Sequence, residues 1–388
     1  MRYTHMIALM ALVLFNGQPG PVYAIDTDHE TAARESISQG VAYLKSTQND
    51  DGSWTPQPGP AVTAMAVTVM IDSGLVSPDD PQVEKGLAYI LAHVQDDGGI
   101  HAGILANYNT AICLSALDLV RDRPGMQETI KNAQDFLRGI QWDGQADPAG
   151  KAVDESHPFF GGAGYGRHGR PDMSNTQLML QGLYDSGLDC KDPAFVRAVV
   201  FISRCQGVDS NELLGELIEP DGGFIYATSI NKDLIGVPES KANPDQMDEA
   251  LAGQPVSGLR TYGSMTYAGF KSYLYAQLDP ADPRVTGALN WIQNNYTLDA
   301  NPGLPEAMNQ QGLYYYYMTF ARALDAYGQD TIQTADGVNN DWANDLIDAL
   351  TSRQREDGSW MNEADRWMEG DANLVTCYAL IALIAAEQ

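Results

Sequence analysis

Apolar residues along this chain recur at helical spacing in two alternating kinds of segment. One kind is amphipathic. In the stretch 83–95, Val83, Leu87, Ile90, Leu91 and Val94 fall on one face. Segments 31–48, 126–141, 194–206, 284–293 and 342–354 have the same form. Asp80, Asp192 and Asp282, each followed by Pro, supply a capping carboxylate and a proline for the first helical position. The other kind is apolar on nearly every side: 61–73, 110–120, 174–186, 264–278, 311–327 and 374–386. A helix that is apolar all round must be buried all round. The alternation predicts six hairpins with a greasy inner ring inside an amphipathic outer ring. That is an all-α fold, a single (α/α)6 toroid over residues 25–388.

The links between segments are unequal. Those running from an inner to an outer helix are brief, whereas those running from outer to inner include 142–172 and 207–262. Because hairpins alternate in direction, all the long links belong at one pole. The inner helices begin there, so their unpaired N–H groups converge on the same mouth. Long loops on a rigid scaffold are where sites are usually built. Within 207–262 the stretch 220–226 is expected to form a short strand, and the polar stretch after it a lid.

The amphipathic segments end in Gln48, Gln95, Gln141, Gln206, Gln293 and Gln354, with a period of about 46 residues where no insertion intervenes. Two copies carry a full Q-x3-G-x-W string: Gln48, Gly52, Trp54 and Gln354, Gly358, Trp360. A third, Gln95 and Gly99, has His101 in place of the aromatic. The string resembles the repeat of squalene and other class II terpene cyclases, shared more loosely with protein prenyltransferase β subunits. The resemblance implies a toroid with a central cavity for an isoprenoid. Asp172 and Thr176 match the ends of the cyclases' acidic D-x-D-D-T motif, but Ser174 and Asn175 stand where that motif has its proton-donating Asp and its neighbour. Ser264, Thr266 and Val375 stand where prenyltransferases have their zinc ligands. Neither catalytic set is present, and no metal and no cofactor is expected.

Composition narrows the picture further. A net charge of −28 argues against nucleic acid and anionic membranes as partners. Arg2, an apolar run over 6–15 and a small-residue site ending at Ala24 read as a secretory signal peptide over 1–24. The protein is therefore expected to be exported, to the periplasm or beyond, without a stable membrane anchor. Its four cysteines sit too far apart on the expected helices to pair and read as free thiols.

The loop before the third inner helix concentrates candidate chemistry. Arg167 and Arg170 would anchor an anion, and Asp172 and His168 are candidate acids. Tyr165, Asn175, Tyr262 and Tyr267 would contact a ligand at the cavity mouth. These residues, with the resemblance, point to a small apolar ligand of isoprenoid class and to isomerisation or cyclisation of the terpene-cyclase type. Two alternatives stay open: a non-catalytic exported binding or scaffold protein, and an (α/α)6 enzyme acting on polysaccharide through paired carboxylates.

Overall fold

The computed structural model describes residues 25–167, 169–243 and 258–388. The signal-peptide expectation over 1–24, His168 and residues 244–257 of the expected lid lie outside the described residues. Among the described residues, twelve α-helices make up the body. The outer ring is α1 (Thr27–Thr47), α3 (Pro81–Leu91), α5 (Met126–Ile140), α7 (Pro193–Arg204), α9 (Pro283–Asn294) and α11 (Trp342–Thr351). The inner ring is α2 (Ala61–Asp72), α4 (Ala106–Asp118), α6 (Met173–Asp185), α8 (Gly263–Tyr275), α10 (Leu313–Tyr327) and α12 (Ala372–Ala386). Each inner helix packs on the next, and α12 returns to α2, so the ring closes as the (α/α)6 toroid. A two-stranded antiparallel ribbon, β1 (Thr331–Gln333) and β2 (Asn339–Asp341), precedes α11.

The sequence explains why the rods stop and start where they do. Asp80, Asp192 and Asp282 cap α3, α7 and α9, each accepting a backbone N–H two residues on, with Pro at the first helical position. The repeat residues fasten neighbouring hairpins. Gln48 Nε2 donates to Gly52 O at 3.0 Å and to Gln82 O, in the first turn of α3, at 2.8 Å. Gln354 Nε2 does the same to Gly358 O and to Ser36 O of α1, which joins the last outer helix to the first. The glycine is demanded twice over. Gly52 has φ 88°, and a Cβ on it would lie 2.4 Å from Lys85 O. Trp54 and Trp360 are wholly buried, and their indole N–H groups donate to Leu44 O and Leu350 O at the C-terminal ends of α1 and α11.

All the long links gather at the pole where the inner helices begin, the loop pole. Met173 N–H donates to Tyr226 O, Gly263 N–H to Pro302 O and Asn107 N–H to Tyr165 O, so each loop is tied to the start of an inner helix. The strand expected over 220–226 is not formed. Isolated bridges pair Phe224 with Gln206 and Ala227 with Glu239, because Gly222, at φ 87°, turns the chain against Gly287. All four cysteines are free, and Cys113, Cys205 and Cys377 are buried as small apolar side chains.

Candidate functional site

Two chambers lie on the toroid axis, separated by a floor of tyrosines. Tyr108, Tyr315 and Tyr378, from α4, α10 and α12, border both. Tyr108 and Tyr378 hydroxyls are 3.4 Å apart, and the Tyr315 hydroxyl is held by Ser174 Oγ and Gln177 Nε2, each at 2.9 Å.

The chamber at the loop pole has a volume of about 320 Å³. Above the floor its walls are Tyr165, Tyr226 and Tyr262 from the long loops, with Ser174 and Ser264 from the first turns of α6 and α8. Its rim carries Trp367 and Met368, which are 43% and 42% exposed. Both have left-handed backbone, φ 58° and 69°, and so has a third lining residue, Leu105, at φ 48°. A side chain of that bulk in the left-handed region costs about 1–3 kcal/mol and persists only where the surroundings impose it. Three of the five such residues described in the chain therefore border this one chamber.

Next to that rim sits a buried acid. Glu369 accepts a hydrogen bond from Tyr315 N–H at 2.8 Å and from Asn362 Nδ2 at 2.6 Å. Burial pushes its carboxyl up to about 7, although Asn362 and the backbone N–H groups at the start of α10 favour the anion. The group is thus a carboxylic acid over much of the acidic range, facing an aromatic cavity.

The residues expected to form the site divide. Tyr165 and Tyr262 line the loop-pole chamber. Asp172 is at the same pole but fully enclosed: it caps α6, accepting from Asn175 N at 2.8 Å and from Asn175 Nδ2. Burial pushes its carboxyl up, against the opposing charge of Arg170 and the donors of Asn175 and Tyr226. Asn175 is spent on that cap and does not reach the cavity. Arg170 is no free anion anchor, because Nη1 donates to Glu239 at 2.6 Å and to Ser229 O at 2.8 Å, and its guanidinium lies over the Tyr226 ring. Arg167 points to the outside, pairing with Asp97 at 3.3 Å over the Phe136 ring. Tyr267 is buried in the wall against Tyr316 and Phe320 rather than at the mouth. His168 lies outside the described residues.

The second chamber, about 260 Å³, opens at the pole where the inner helices end. No long loop marks it in the sequence. Asp185 of α6 accepts from Arg322 Nη2 at 2.9 Å, Ser115 Oγ at 2.8 Å and Gln181 Nε2 at 2.8 Å. Lys271 of α8 is buried, its ammonium reaching Gln181 Oε1 and lying 5.6 Å from the Tyr275 ring centre. Burial and the neighbouring Arg322 bring Lys271 down to about 7. Asp72 stands water-exposed at the rim. The signal was there to be read: Lys271 and Arg322 are cations inside helices that are otherwise apolar, where each needs a reason. Among the described residues no group of three His, Cys, Asp or Glu side chains is placed to hold a metal ion.

No family model and no curated protein sequence matches the chain. Solved structures sharing its fold include the GH76A alpha-1,6-mannanase of Salegentibacter sp. HEL1_6, at 10% identity and TM-score 0.55, covering 92% of this chain and 98% of that one. A D-mannose isomerase follows at 11% identity and TM-score 0.53, covering 94% and 99%. An alpha-amylase from Clostridium perfringens matches at 11% identity and TM-score 0.52, covering 91% and 97%. These likenesses show the fold. They also correct the kinship with squalene cyclases and prenyltransferases expected from the Q-x3-G-x-W copies, and with it the isoprenoid ligand and the cyclase-type reaction. The repeated Gln and Trp are accounted for by the hydrogen bonds they make at the hairpin ends, with Gln82 O, Leu44 O, Ser36 O and Leu350 O. The chain is an (α/α)6 toroid similar in architecture to proteins that act on sugars.

Proposed function

We propose that the protein acts on a neutral saccharide, which enters the loop-pole chamber with one sugar ring against Trp367. The observation that carries this reading is the chamber itself, an aromatic pocket with strained rim residues and a buried acid in its wall. Flat indole and phenol faces match the C–H faces of a pyranose, and the phenol and serine hydroxyls match its OH groups. Glu369 is the proton donor to the glycosidic oxygen, a role suited to a carboxyl raised by burial. Asp172, whose charge is felt by the hydroxyls of Tyr165, Tyr226, Tyr262 and Tyr315, is the second carboxyl of this pole and acts on the sugar through those phenols. The mannanase, mannose isomerase and amylase that share the fold lend support, since such a toroid can be put to sugar chemistry. The test is titration of the protein with mannose-, glucose- and xylose-based oligosaccharides by calorimetry, followed by mass analysis of products. Binding with release of shorter oligomers is expected. An absence of both across the panel at millimolar sugar would overturn the reading.

A further inference from the structure

We propose that Lys271 in the second chamber is a nucleophilic amine that forms an imine with a small hydroxylated ketone or aldehyde. This inference stands on a different site from the saccharide reading and does not depend on it.

The geometry is that of an amine kept for chemistry rather than for a salt bridge. Lys271 is 1% exposed, yet it borders a cavity of about 260 Å³, roomy enough for a small carbonyl compound. Its one hydrogen-bond partner among the described residues is the neutral Gln181 Oε1, which leaves the other two positions on nitrogen unengaged by protein. No carboxylate lies within ion-pair reach of it among the described residues, and Asp185, whose charge it feels, is already committed to Arg322, Ser115 and Gln181. Burying a lysine without a counter-ion is costly and is relieved by giving up the proton. The charged and titratable groups around it are Asp185 from α6, Arg322 from α10, Tyr275 on its own helix, and Asp118 and Asp72 from α4 and α2. Burial leads, Arg322 adds to it and Asp185 opposes, and together they hold Lys271 at about 7. A free amine is therefore present at neutral pH, next to a cationic neighbour that favours it.

The step balances without any further reagent. The nitrogen lone pair attacks the carbonyl carbon and a C–N bond forms. The oxygen then departs as water with the two protons the amine gives up, and C=N replaces C=O. Ser115 Oγ, which donates to Asp185 and can still accept, and the Asp72 carboxylate at the rim offer hydroxyl-binding partners to a hydroxylated chain, which is why the carbonyl compound is taken to be of that class.

The experiment uses the wild-type protein, so that it does not depend on a variant folding. Dihydroxyacetone is added at pH 7, the imine is trapped with sodium borohydride, and the adduct is counted by intact mass and placed by peptide mapping. One adduct at Lys271 is expected, with labelling about a hundredfold above that of exposed lysines such as Lys85, Lys131 and Lys151. Labelling at Lys271 should rise through about pH 7. Exposed lysines respond only toward the ordinary lysine range, about 10.4. Lys271→Arg should remove the adduct while leaving surface labelling as it was. Labelling confined to exposed lysines, or the same mass gain in Lys271→Arg, would overturn the proposal.

Discussion

The two chambers are built from the same six inner helices, yet their chemistry is opposite because one sits at the helix starts and the other at the helix ends. At the starts, long links bring in side chains from outside the ring, and aromatics with a single acid line the space. At the ends, the links are short, so polar groups must come from the helices themselves, one or two per rod: Ser115, Gln181, Asp185, Lys271 and Arg322. The lesson is that loop length finds one kind of site and misses the other. A cation embedded in an apolar helix is the mark of the second kind.

The comparison can be broken most severely at Glu369. Glu369→Gln keeps the bond to Tyr315 N–H but removes the proton, and should cost about 10²–10⁴ in oligosaccharide turnover. Lys271→Arg should leave that turnover unchanged, since it lies across the tyrosine floor; steady-state kinetics on both variants would show whether the chambers are independent.

The pH dependence of folding separates the two poles by sign. The Glu369 carboxyl is raised from 4.5 to about 7, so the folded state holds its proton more tightly than the unfolded chain. That contribution favours the fold at low pH and is lost as pH rises through about 7, amounting to about 3 kcal/mol at most. Lys271 is lowered from 10.5 to about 7, so here the unfolded chain binds the proton more readily and stability rises with pH across that window. Urea unfolding as a function of pH should lose the acidic slope in Glu369→Gln and the alkaline slope in Lys271→Met, each independently of the other.

A smaller effect is expected from Asp185→Asn, which leaves Arg322 without its partner. The pair is partly shielded, with side chains 19% and 26% exposed, so a loss of about 2–3 kcal/mol is expected in denaturant unfolding. The loop-pole site should still bind sugar. The smallest change is Met368→Gly, which relieves backbone at φ 69° under a largely exposed side chain and should stabilise by about 1 kcal/mol. If the rim strain serves binding, the same variant should bind sugar more weakly despite its higher melting temperature.

Much of the architecture was legible in the sequence because period and polarity are one-dimensional signals. The two kinds of helix, the Asp-Pro starts and the gathering of long links at one pole all follow from them. The pairing of Gln with Gly across an insertion was not visible. Gln141 reaches Gly161 O and Gln206 reaches Gly222 O, so the loops at 142–172 and 207–262 are inserted inside the fastening, between its two ends. The site was legible only in part. Tyr165 and Tyr262 line the loop-pole chamber, and Asp172 lies enclosed at the same pole. Arg167 and Arg170 were misjudged because local charge density cannot show that Asp97 and Glu239, distant in sequence, neutralise them. Glu369 carried no signal at all: one acid in an acidic chain becomes distinctive only when burial raises it. The Q-x3-G-x-W string misled about kinship because it reports how hairpins are fastened, which says nothing of what the cavity holds.

The most direct test of the account is a crystal structure of the protein soaked with a neutral oligosaccharide. A sugar ring stacked on Trp367, with its glycosidic oxygen within hydrogen-bond reach of Glu369, is the predicted result. A sugar seated instead beside Lys271 and Arg322, or a loop-pole chamber that stays free of sugar in crystals soaked at saturating concentration, would contradict it.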